Sequence, residues 1–313
     1  MKFFRALVLR IVSFLPSATE TIYELGAGNQ IVGVTHECRF PSQAKRKPQV
    51  IRPSFNPSRM SGREIDNKIV ELMHSGKDIY IVDERTLKKV KPDLIVAQGI
   101  CEVCSPYTKE INRAVSVLSN RPDVLVLDPH DLDDILVTIM DVAQRIDKLK
   151  EGRRLVASLQ KRIDIVRSMN VRNGRGPNVL CVEWIDPLFT AGHWVPQMVE
   201  FAGGTNGLGS PGEPSRRMDI DEVVQLNPDI IVLMPCGFGI KRTLEELSAI
   251  SLDEKWKALR AVKSERIYAV NANAYFSKPG PRTVVGLEIL AKIIHPEASR
   301  NIRVPKDSYK KIS

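Results

Sequence analysis

The fold is decided by the stretch PDLIVAQGICEVC at residues 92–104. Its apolar run from Leu94 to Ala97 has the length and composition of a buried strand. The run ends in a turn that carries Cys101 and Cys104 in a Cys-x-x-Cys pattern. In open α/β sheets, ligands bind just beyond the carboxyl ends of the strands. This turn is therefore a place where we expect recognition or chemistry.

The same pattern returns in the second half of the chain. Residues 228–232 (PDIIV) repeat residues 92–96 (PDLIV), and each half opens with a strand, a turn and a helix that closes on glycine. Between the halves, apolar residues from Asp131 to about Met169 recur at helical spacing, and a single helix of that length would span roughly 55–60 Å. We therefore predict an α/β fold of two similar lobes with parallel-type sheets, bridged by one long helix, with the ligand cleft between the lobes.

The predicted domains are an N-terminal lobe at 1–128, the bridging helix at 129–172 and a C-terminal lobe at 173–313. Residues 11–15, 30–35, 80–82, 124–127, 179–182, 228–233 and 267–270 read as further strands. Residues 39–64 are rich in Arg, Lys, Pro and Ser, and they read as a long surface loop. Ser17 or Thr19 is expected to cap the first helix, which should run to Leu25.

Composition excludes several classes of protein. The chain has 313 residues, of which 43% are hydrophobic and 27% charged, as in ordinary soluble globular proteins. The net charge is +9, but Lys and Arg are scattered and form no basic stripe interleaved with aromatic residues, so we expect no nucleic-acid partner. No apolar run approaches about 20 residues, which argues against a transmembrane segment.

The cysteine count and the amino terminus suggest a compartment. Five cysteines is an odd number, which argues against a complete disulfide framework and favours a reducing environment. The first apolar run is interrupted by Arg10, and no small-residue cleavage site follows it. We therefore expect no secretory signal and a cytoplasmic protein, or an extracytoplasmic one if the true start lies upstream.

Candidate ligand-binding residues gather near the predicted strand ends. Aromatic side chains there suit stacking on a flat ligand, with core packing as the alternative, and polar ones suit its edges. In the first lobe the candidates are Ser17, His36, Glu37, Cys38, Cys101 and Cys104. In the second lobe they are Glu183, Trp184, Asp186, Trp194, Cys236, Tyr275, Phe276 and Arg282.

The cysteines leave several interpretations open. Cys-x-x-Cys fits a redox pair, half of a zinc site or part of an iron–sulfur site, and unrelated structural thiols are the alternative. A metal site would need four thiolates from both lobes, and these would favour zinc, copper(I) or iron–sulfur. Its ligands would be Cys38, Cys101, Cys104 and Cys236. No Ser-His-Asp signature, G-x-S-x-G or Walker motif is present, so the sequence does not point to an enzyme.

A family resemblance rests on three motifs. RIVSFLPSATE at 10–20, VGV at 32–34 and KPDLI at 91–95 resemble the cobalamin and ferric-siderophore substrate-binding proteins of ABC importers, and the likeness covers roughly 10–297. It implies a helix-bridged, two-lobed fold of limited hinge motion that holds a metal chelate. HEC at 36–38, CEVC at 101–104, EWIDP at 183–187, AGHWVP at 191–196 and MPCGF at 234–238 are similar to a branch of cobalamin-binding proteins that often lacks a signal sequence.

The chain departs from this family in two ways. Transporter-associated members carry an acidic residue on each lobe that grips arginines of the permease, and here Arg85, beside Glu84, aligns with the first acid while Asp221 takes the place of the second. The family's cleft also needs no thiols. We expect a soluble, monomeric protein that binds cobalamin or another metal chelate and requires no cofactor. The alternatives are an intracellular metalloprotein or enzyme with zinc or iron–sulfur at the cysteines, or a conventional importer component that docks on an ABC permease.

Overall fold

A computed structural model describes residues 9–100, 108–169 and 176–312. The chain forms two compact α/β units, which confirms the predicted fold class. The first unit contains the residues up to Asn56 together with Ile69–Asp128 and Leu136–Val156. The second contains Pro57–Lys68, Pro129–Ile135 and the chain from Ala157 onward. The domain boundaries predicted from the sequence remain predictions.

The first unit is built on a six-stranded sheet in the order β4-β3-β2-β1-β5-β6. Neighbouring strands are parallel except β3 and β4. The sequence order reverses at β1, which pairs with β2 on one side and β5 on the other, and this is the topology at which α/β sheets bind ligands. The strands are β1 (Ile11–Ser13), β2 (Ile31–Thr35), β3 (Gln49–Pro53), β4 (Tyr80–Val82), β5 (Leu94–Gln98) and β6 (Asp123–Leu127).

The decisive strand β5 is buried on both faces. Leu94 and Val96 belong to one hydrophobic cluster, and Ile95 and Ala97 belong to another, because successive side chains point to opposite faces of a sheet. A continuous apolar run is what a parallel strand covered on both sides requires. The helices in the first half of the chain are α1 (Pro16–Glu24), α2 (Gly62–His74), α3 (Glu84–Val90), α4 (Thr108–Ser116), α5 (Leu132–Arg145) and α6 (Leu149–Met169).

The second unit repeats this plan with a sheet in the order β12-β11-β10-β7-β8. The three central strands, β11, β10 and β7, are parallel to one another, and β9 also pairs with β7. Its strands are β7 (Asn178–Trp184), β8 (Phe189–Thr190), β9 (Thr205–Asn206), β10 (Ile230–Leu233), β11 (Ile267–Val270) and β12 (Tyr309–Ile312). Its helices are α7 (Trp194–Phe201), α8 (Ile220–Leu226), α9 (Ile240–Glu246), α10 (Ser248–Ser251), α11 (Glu254–Ala258), α12 (Arg260–Lys263), α13 (Ala272–Tyr275) and α14 (Thr283–Ile294).

The repeated Pro-Asp pair ties each central strand to the first strand of its own unit. In the first unit, Asp93 Oδ2 accepts a hydrogen bond from the backbone N–H of Arg10 at 2.9 Å. In the second, Asp229 Oδ2 accepts one from the backbone N–H of Asn178, also at 2.9 Å. Each carboxylate therefore fixes the register of the strand pair at its amino end.

The helices before these pairs also match. Asp83 caps α3 by accepting from Thr86 N at 3.0 Å, and Asp219 caps α8 by accepting from Glu222 N at 2.9 Å. Both helices end in the left-handed conformation, at Lys91 (φ 42°) and at Asn227 (φ 43°). The internal repeat predicted from the sequence therefore extends to its helix caps.

The single bridging helix is corrected to two helices. The helical pattern stops at Arg145 and resumes at Leu149, and Asp147 between them has a φ of 57°. A non-glycine residue with positive φ breaks the helical hydrogen-bond pattern. A side chain at Gly152 would lie 2.5 Å from Ala143 Cβ, so this glycine allows the start of α6 to pack closely against α5. Apolar periodicity continued across the turn, which is why the sequence suggested one helix.

Two further expectations are corrected. The N-cap of α1 is Leu15, with Pro16 at the first helical position, and neither Ser17 nor Thr19 caps the helix because both lie inside it. Residues 39–64 are also not one loop, because they contain β3. The apolar signal of that strand is short, since only Val50 and Ile51 are buried in it.

Replacing Lys91 with glycine should stabilise the first unit. Lysine pays a steric cost at positive φ that glycine avoids, so we expect Lys91→Gly to raise the free energy of unfolding by about 0.5–1 kcal/mol. The matched control, Lys89→Gly inside α3, should lower it by about 0.5–1 kcal/mol. Urea unfolding followed by circular dichroism measures both, and destabilisation by Lys91→Gly would contradict the assigned cap.

Candidate functional site

At the carboxyl edge of the first sheet, two of the predicted site residues are part of the core. Ser17 and Cys38 are each 2% exposed. Cys38 Sγ lies 3.1 Å from Thr19 Oγ1 and 3.4 Å from Thr35 Oγ1, inside a hydrophobic cluster. Cys38 therefore packs as a small core residue between two threonine hydroxyls.

His36 and Glu37 follow β2 at this edge and are half-buried. The His36 ring lies 6.3 Å from the Tyr80 ring, and His36 Nε2 is 3.9 Å from Glu37 Oε1. These side chains form a polar group at the strand ends, where the sequence predicted it. Cys101 and Cys104 lie outside the described residues.

The second unit brings an aromatic pair and a cation together at its carboxyl edge. Trp184 ends β7, and its ring lies 5.1 Å from the Phe238 ring at an interplanar angle of 51°. The Arg242 guanidinium lies over Phe238, 5.1 Å from the ring centroid. Trp184, Phe238 and Arg242 are half-buried, and we call them the aromatic surface.

Tyr275 and Arg282 follow the neighbouring strand β11. The Arg282 guanidinium lies over the Tyr275 ring at 5.8 Å. The turn after β10 and the loop after β11 are tied together, since Ser277 Oγ accepts from Gly237 N at 3.0 Å and Phe238 O accepts from Asn273 N at 3.0 Å. Two aromatic–cation pairs therefore follow adjacent strands.

Trp194 and Phe276 play a supporting part. They are 6% and 3% exposed, and the Trp194 indole N–H donates to Phe276 O at 2.9 Å. This hydrogen bond anchors the loop that carries Tyr275. Their burial makes them packing residues, the alternative that the sequence had left open.

Glu183 and Cys236 lie beside the aromatic surface and are half-buried. Glu183 Oε2 accepts a hydrogen bond from Gly192 N at 3.2 Å, and Glu183 O accepts one from Cys236 N at 3.0 Å. Cys181, in the core of β7, is different. Burial raises the pKa of its thiol well above the ordinary value, and the nearby Glu183 carboxylate raises it further.

Asp186 is engaged by the start of α2. It accepts from Arg63 Nε at 2.9 Å and from the second guanidinium nitrogen of Arg63. The Trp184 indole N–H is shared between Asp186 O at 3.1 Å and Gly62 O at 3.2 Å. Asp186 thus contributes to the local structure around Trp184.

Sequence reasoning missed Phe238, Arg242 and Glu246. The signal for Phe238 was present, because it closes the motif MPCGF directly after a predicted strand. Arg242 and Glu246 stand one helical turn apart on α9 and form an ion pair at 2.6 Å. In a sequence, an oppositely charged i, i+4 pair on a short helix usually indicates a solvent-exposed ion pair. For this reason the sequence analysis did not select Arg242 and Glu246 as site residues.

The aromatic surface can stack on a flat ligand and meet negative charge at its edge. Across the described ranges, no group of three or more His, Cys, Asp or Glu side chains is placed to hold a metal ion. Within the same ranges, no helix has both the length and the apolar character needed to cross a membrane. The arrangement thus suits binding of a small planar molecule.

Known proteins with similar sequences or structures cover nearly the whole chain. An uncharacterised ABC transporter substrate-binding lipoprotein of Bacillus subtilis, YvrC, is 24% identical over 295 residues, covering 92% of this chain and 80% of the relative. The vitamin B12-binding protein of Vibrio cholerae is 23% identical over 286 residues, covering 89% of this chain and 86% of the relative. The solved structure of a periplasmic heme-binding protein from Pseudomonas aeruginosa matches with a TM-score of 0.72 at 16% identity, covering 97% of this chain and 98% of that one.

The expected cytoplasmic location is wrong. These similar proteins are a lipoprotein and periplasmic binding proteins, which are extracytoplasmic. The inference from cysteine content failed because an odd number of thiols excludes only complete pairing. Buried thiols such as Cys38 and Cys181 are shielded from oxidants and can persist outside the cytoplasm.

The family model described as "Periplasmic binding protein" matches residues 11–274. The match runs from β1 into α13, where it ends before Tyr275, and it includes the residues of the aromatic surface. It agrees with the resemblance that the sequence motifs indicated. The chain is therefore a member of the periplasmic binding protein family.

Proposed function

We propose that this protein is the substrate-binding component of an ABC importer and captures a planar metal chelate of the corrinoid or heme class. The observation that carries the proposal is the aromatic surface, where Trp184, Phe238 and Arg242 are half-buried after adjacent parallel strands. Tyr275 and Arg282 add a second aromatic–cation pair after the next strand.

The chemistry of these side chains suits such a ligand. Aromatic faces contribute about 0.5–1.5 kcal/mol per contact beyond their buried area, and a guanidinium can meet carboxylate or phosphate groups at the edge of a macrocycle. Two similar proteins are named for vitamin B12 and for heme, both of which are metal-bearing macrocycles. Glu183 would contact the polar edge of the ligand. Ligand contacts by His36 and Glu37 remain predictions.

A permease partner belongs to the same proposal. The similar Bacillus subtilis protein is named as part of an ABC transporter. Asp221 lies in the first turn of α8, and its side chain is 72% exposed. The corresponding second helical position of α3 is Arg85, which is exposed, while Glu84 beside it accepts two hydrogen bonds from Arg113 at 3.0 and 2.9 Å. The two predicted docking positions therefore carry an exposed cation, Arg85, and an acid, Asp221, whose Oδ1 pairs with Lys255 Nζ at 2.5 Å.

Zinc or iron–sulfur at Cys38, Cys101, Cys104 and Cys236 remains a prediction. The surroundings of Cys38 weaken it, because this thiol is enclosed by the core and already meets two threonine hydroxyls. A metal thiolate would have to leave those contacts and the hydrophobic cluster. Chelate binding on the aromatic surface needs no thiol ligand.

Thiol labelling should separate the cysteines by burial. Iodoacetamide at pH 8 should label Cys236 in the native protein, whereas Cys38 and Cys181 should react only after unfolding in guanidinium. Buried thiols lack solvent access, and the raised pKa of Cys181 also keeps it protonated. Peptide mass spectrometry locates the label. Rapid native labelling of Cys38 would show an accessible thiol and would revive the metal site.

Chelate binding should be visible as thermal stabilisation. Cyanocobalamin, hemin and a ferric siderophore are tested separately, and a bound chelate at 100 times its dissociation constant should add about 2.7 kcal/mol. Phe238→Ala should weaken binding of the same chelate by about tenfold or more, because it removes the centre of the aromatic surface. Isothermal titration calorimetry gives the affinities.

The matched control is Tyr268→Ala. Tyr268 lies within β11 and packs near Tyr309, with ring centroids 6.4 Å apart, and it does not belong to the aromatic surface. The Tyr268→Ala variant should bind the same chelate with unchanged affinity. No stabilisation by any of the three chelates, or equal losses in Phe238→Ala and Tyr268→Ala, would reject the proposed site.

A further inference from the structure

We propose that the segment Met60–Asp66 is a strap, a locally separable element whose docking shapes the aromatic surface, and that Glu246 is the positioning residue that holds it. Its effect on ligand affinity rests on the proposed function. The strap comes from the first half of the sequence, yet it belongs to the second compact unit together with Trp184 and Arg242.

Glu246 is the centre of the attachment. Its side chain is 9% exposed, and Oε2 accepts a hydrogen bond from Gly62 N at 2.9 Å. Gly62 begins α2, a helix of 13 residues, so the carboxylate accepts from one of the first N–H groups of the helix and lies at its positive end. Its other oxygen, Oε1, pairs with Arg242 at 2.6 Å. One buried carboxylate thus joins the strap to the cation of the aromatic surface.

Two side chains of the aromatic surface donate hydrogen bonds to the backbone of the strap. The Trp184 indole N–H donates to Gly62 O at 3.2 Å, and Arg242 donates to Met60 O. Both side chains therefore use the strap backbone to fix their orientation. If the strap left, the Trp184 donor and the Arg242 guanidinium would lose these partners, and the rings beside them would lose their support.

Two ion pairs flank this centre: the Arg63–Asp186 pair is bidentate, whereas one Arg217 nitrogen donates to both Asp66 oxygens. Arg63 pairs with Asp186, and Arg217 pairs with Asp66 at 2.9 and 2.7 Å. The two arginines are more than half exposed, so each pair adds little stability and acts mainly through its geometry. Among the polar contacts, attachment of the strap thus depends chiefly on the buried Glu246, with the outer pairs setting its register.

The packing at Gly62 supports a fitted attachment. A Cβ added at this position would lie 3.1 Å from Glu246 Oε2, 3.3 Å from Asp186 O and 3.4 Å from Trp184 Nε1. Three partners therefore close around one glycine. Glu64, on the exposed side of the same turn, instead completes a capping box with Ser61, and the hydrogen bonds from the Ser61 N–H and hydroxyl lower the pKa of Glu64.

The strap is also distinct as a chain segment. Residues Pro57–Lys68 belong to the second unit, whereas α2 continues from Ile69 as part of the first. A short segment that attaches by polar contacts and one buried apolar side chain, Ile65, opens locally at a lower free energy than the core strands. A ligand that binds only when the strap is docked must then favour docking by the same coupling free energy.

Limited trypsin digestion tests the strap without any ligand. Cleavage at Arg63–Glu64 requires local opening, so its rate reports the docked fraction. Glu246→Gln keeps the shape but loses the charge, and we expect it to speed this cleavage about tenfold. The matched control is Glu245→Gln, the exposed neighbour on the same helix, which should cleave like wild type. Asp66→Asn, at the outer edge, should give a smaller increase.

Each outcome decides the proposal. If wild type and Glu246→Gln are cleaved at Arg63–Glu64 at equal rates, with melting temperatures unchanged, the strap proposal is wrong. If Glu246→Gln fails to fold, the Asp66→Asn comparison replaces it, and wild-type rates there would overturn it too. Peptide mass spectrometry identifies the cleaved bond.

The effect on binding is tested with hemin and cyanocobalamin separately. A probe that binds wild type should, at saturation, slow trypsin cleavage at Arg63–Glu64 about tenfold. The same probe should bind Glu246→Gln with about tenfold lower affinity, because Glu246 orients Arg242 and the strap. A bound probe that changes neither quantity overturns the positioning role. If neither probe binds, the proposed function fails, and the ligand-free digestion alone decides whether the strap exists.

Discussion

The structure depends on a hydrogen bond that occurs once in each half of the chain. Asp93 and Asp229 each accept from the backbone N–H at the start of the first strand of their own unit. Because these carboxylates set the register at the amino ends, the carboxyl ends of the same parallel strands fall together at the opposite edge. Ligands of open α/β sheets bind at that edge, and the candidate residues lie there for this reason.

In the second unit the edge gains its chemistry from two sources. The end of β7 and the segment after β10 supply the aromatic and cationic side chains, of which Trp184, Phe238 and Arg242 are the central group. The strap supplies the backbone carbonyl groups that orient Trp184 and Arg242, from Gly62 and Met60. Glu246 links the two sources, since one carboxylate meets both the helix start and the guanidinium. The aromatic surface is therefore formed by distant parts of the sequence.

Much of the fold could be read from local patterns. The strand β5 and its counterpart β10 followed from apolar runs after Pro-Asp. The break between α5 and α6 could not be read, because apolar spacing persisted across Asp147. Trp184 and Tyr275 lie half-buried near strand ends, as expected, whereas Trp194 and Phe276 are buried. The sequence could not separate the two pairs, because burial depends on packing that a single sequence does not reveal. Glu246 was invisible for the same reason: its partner Gly62 is 184 residues away.

The central claim is that a planar chelate binds the aromatic surface and that this surface is completed by the start of α2. Hydrogen–deuterium exchange, followed by mass spectrometry with and without saturating chelate, tests it most directly. The account predicts that bound chelate slows exchange in two peptides together, one covering residues 57–68 and one covering 234–246, while the amino ends of β5 and β10 stay unchanged. A bound chelate that leaves both peptides unprotected would contradict it.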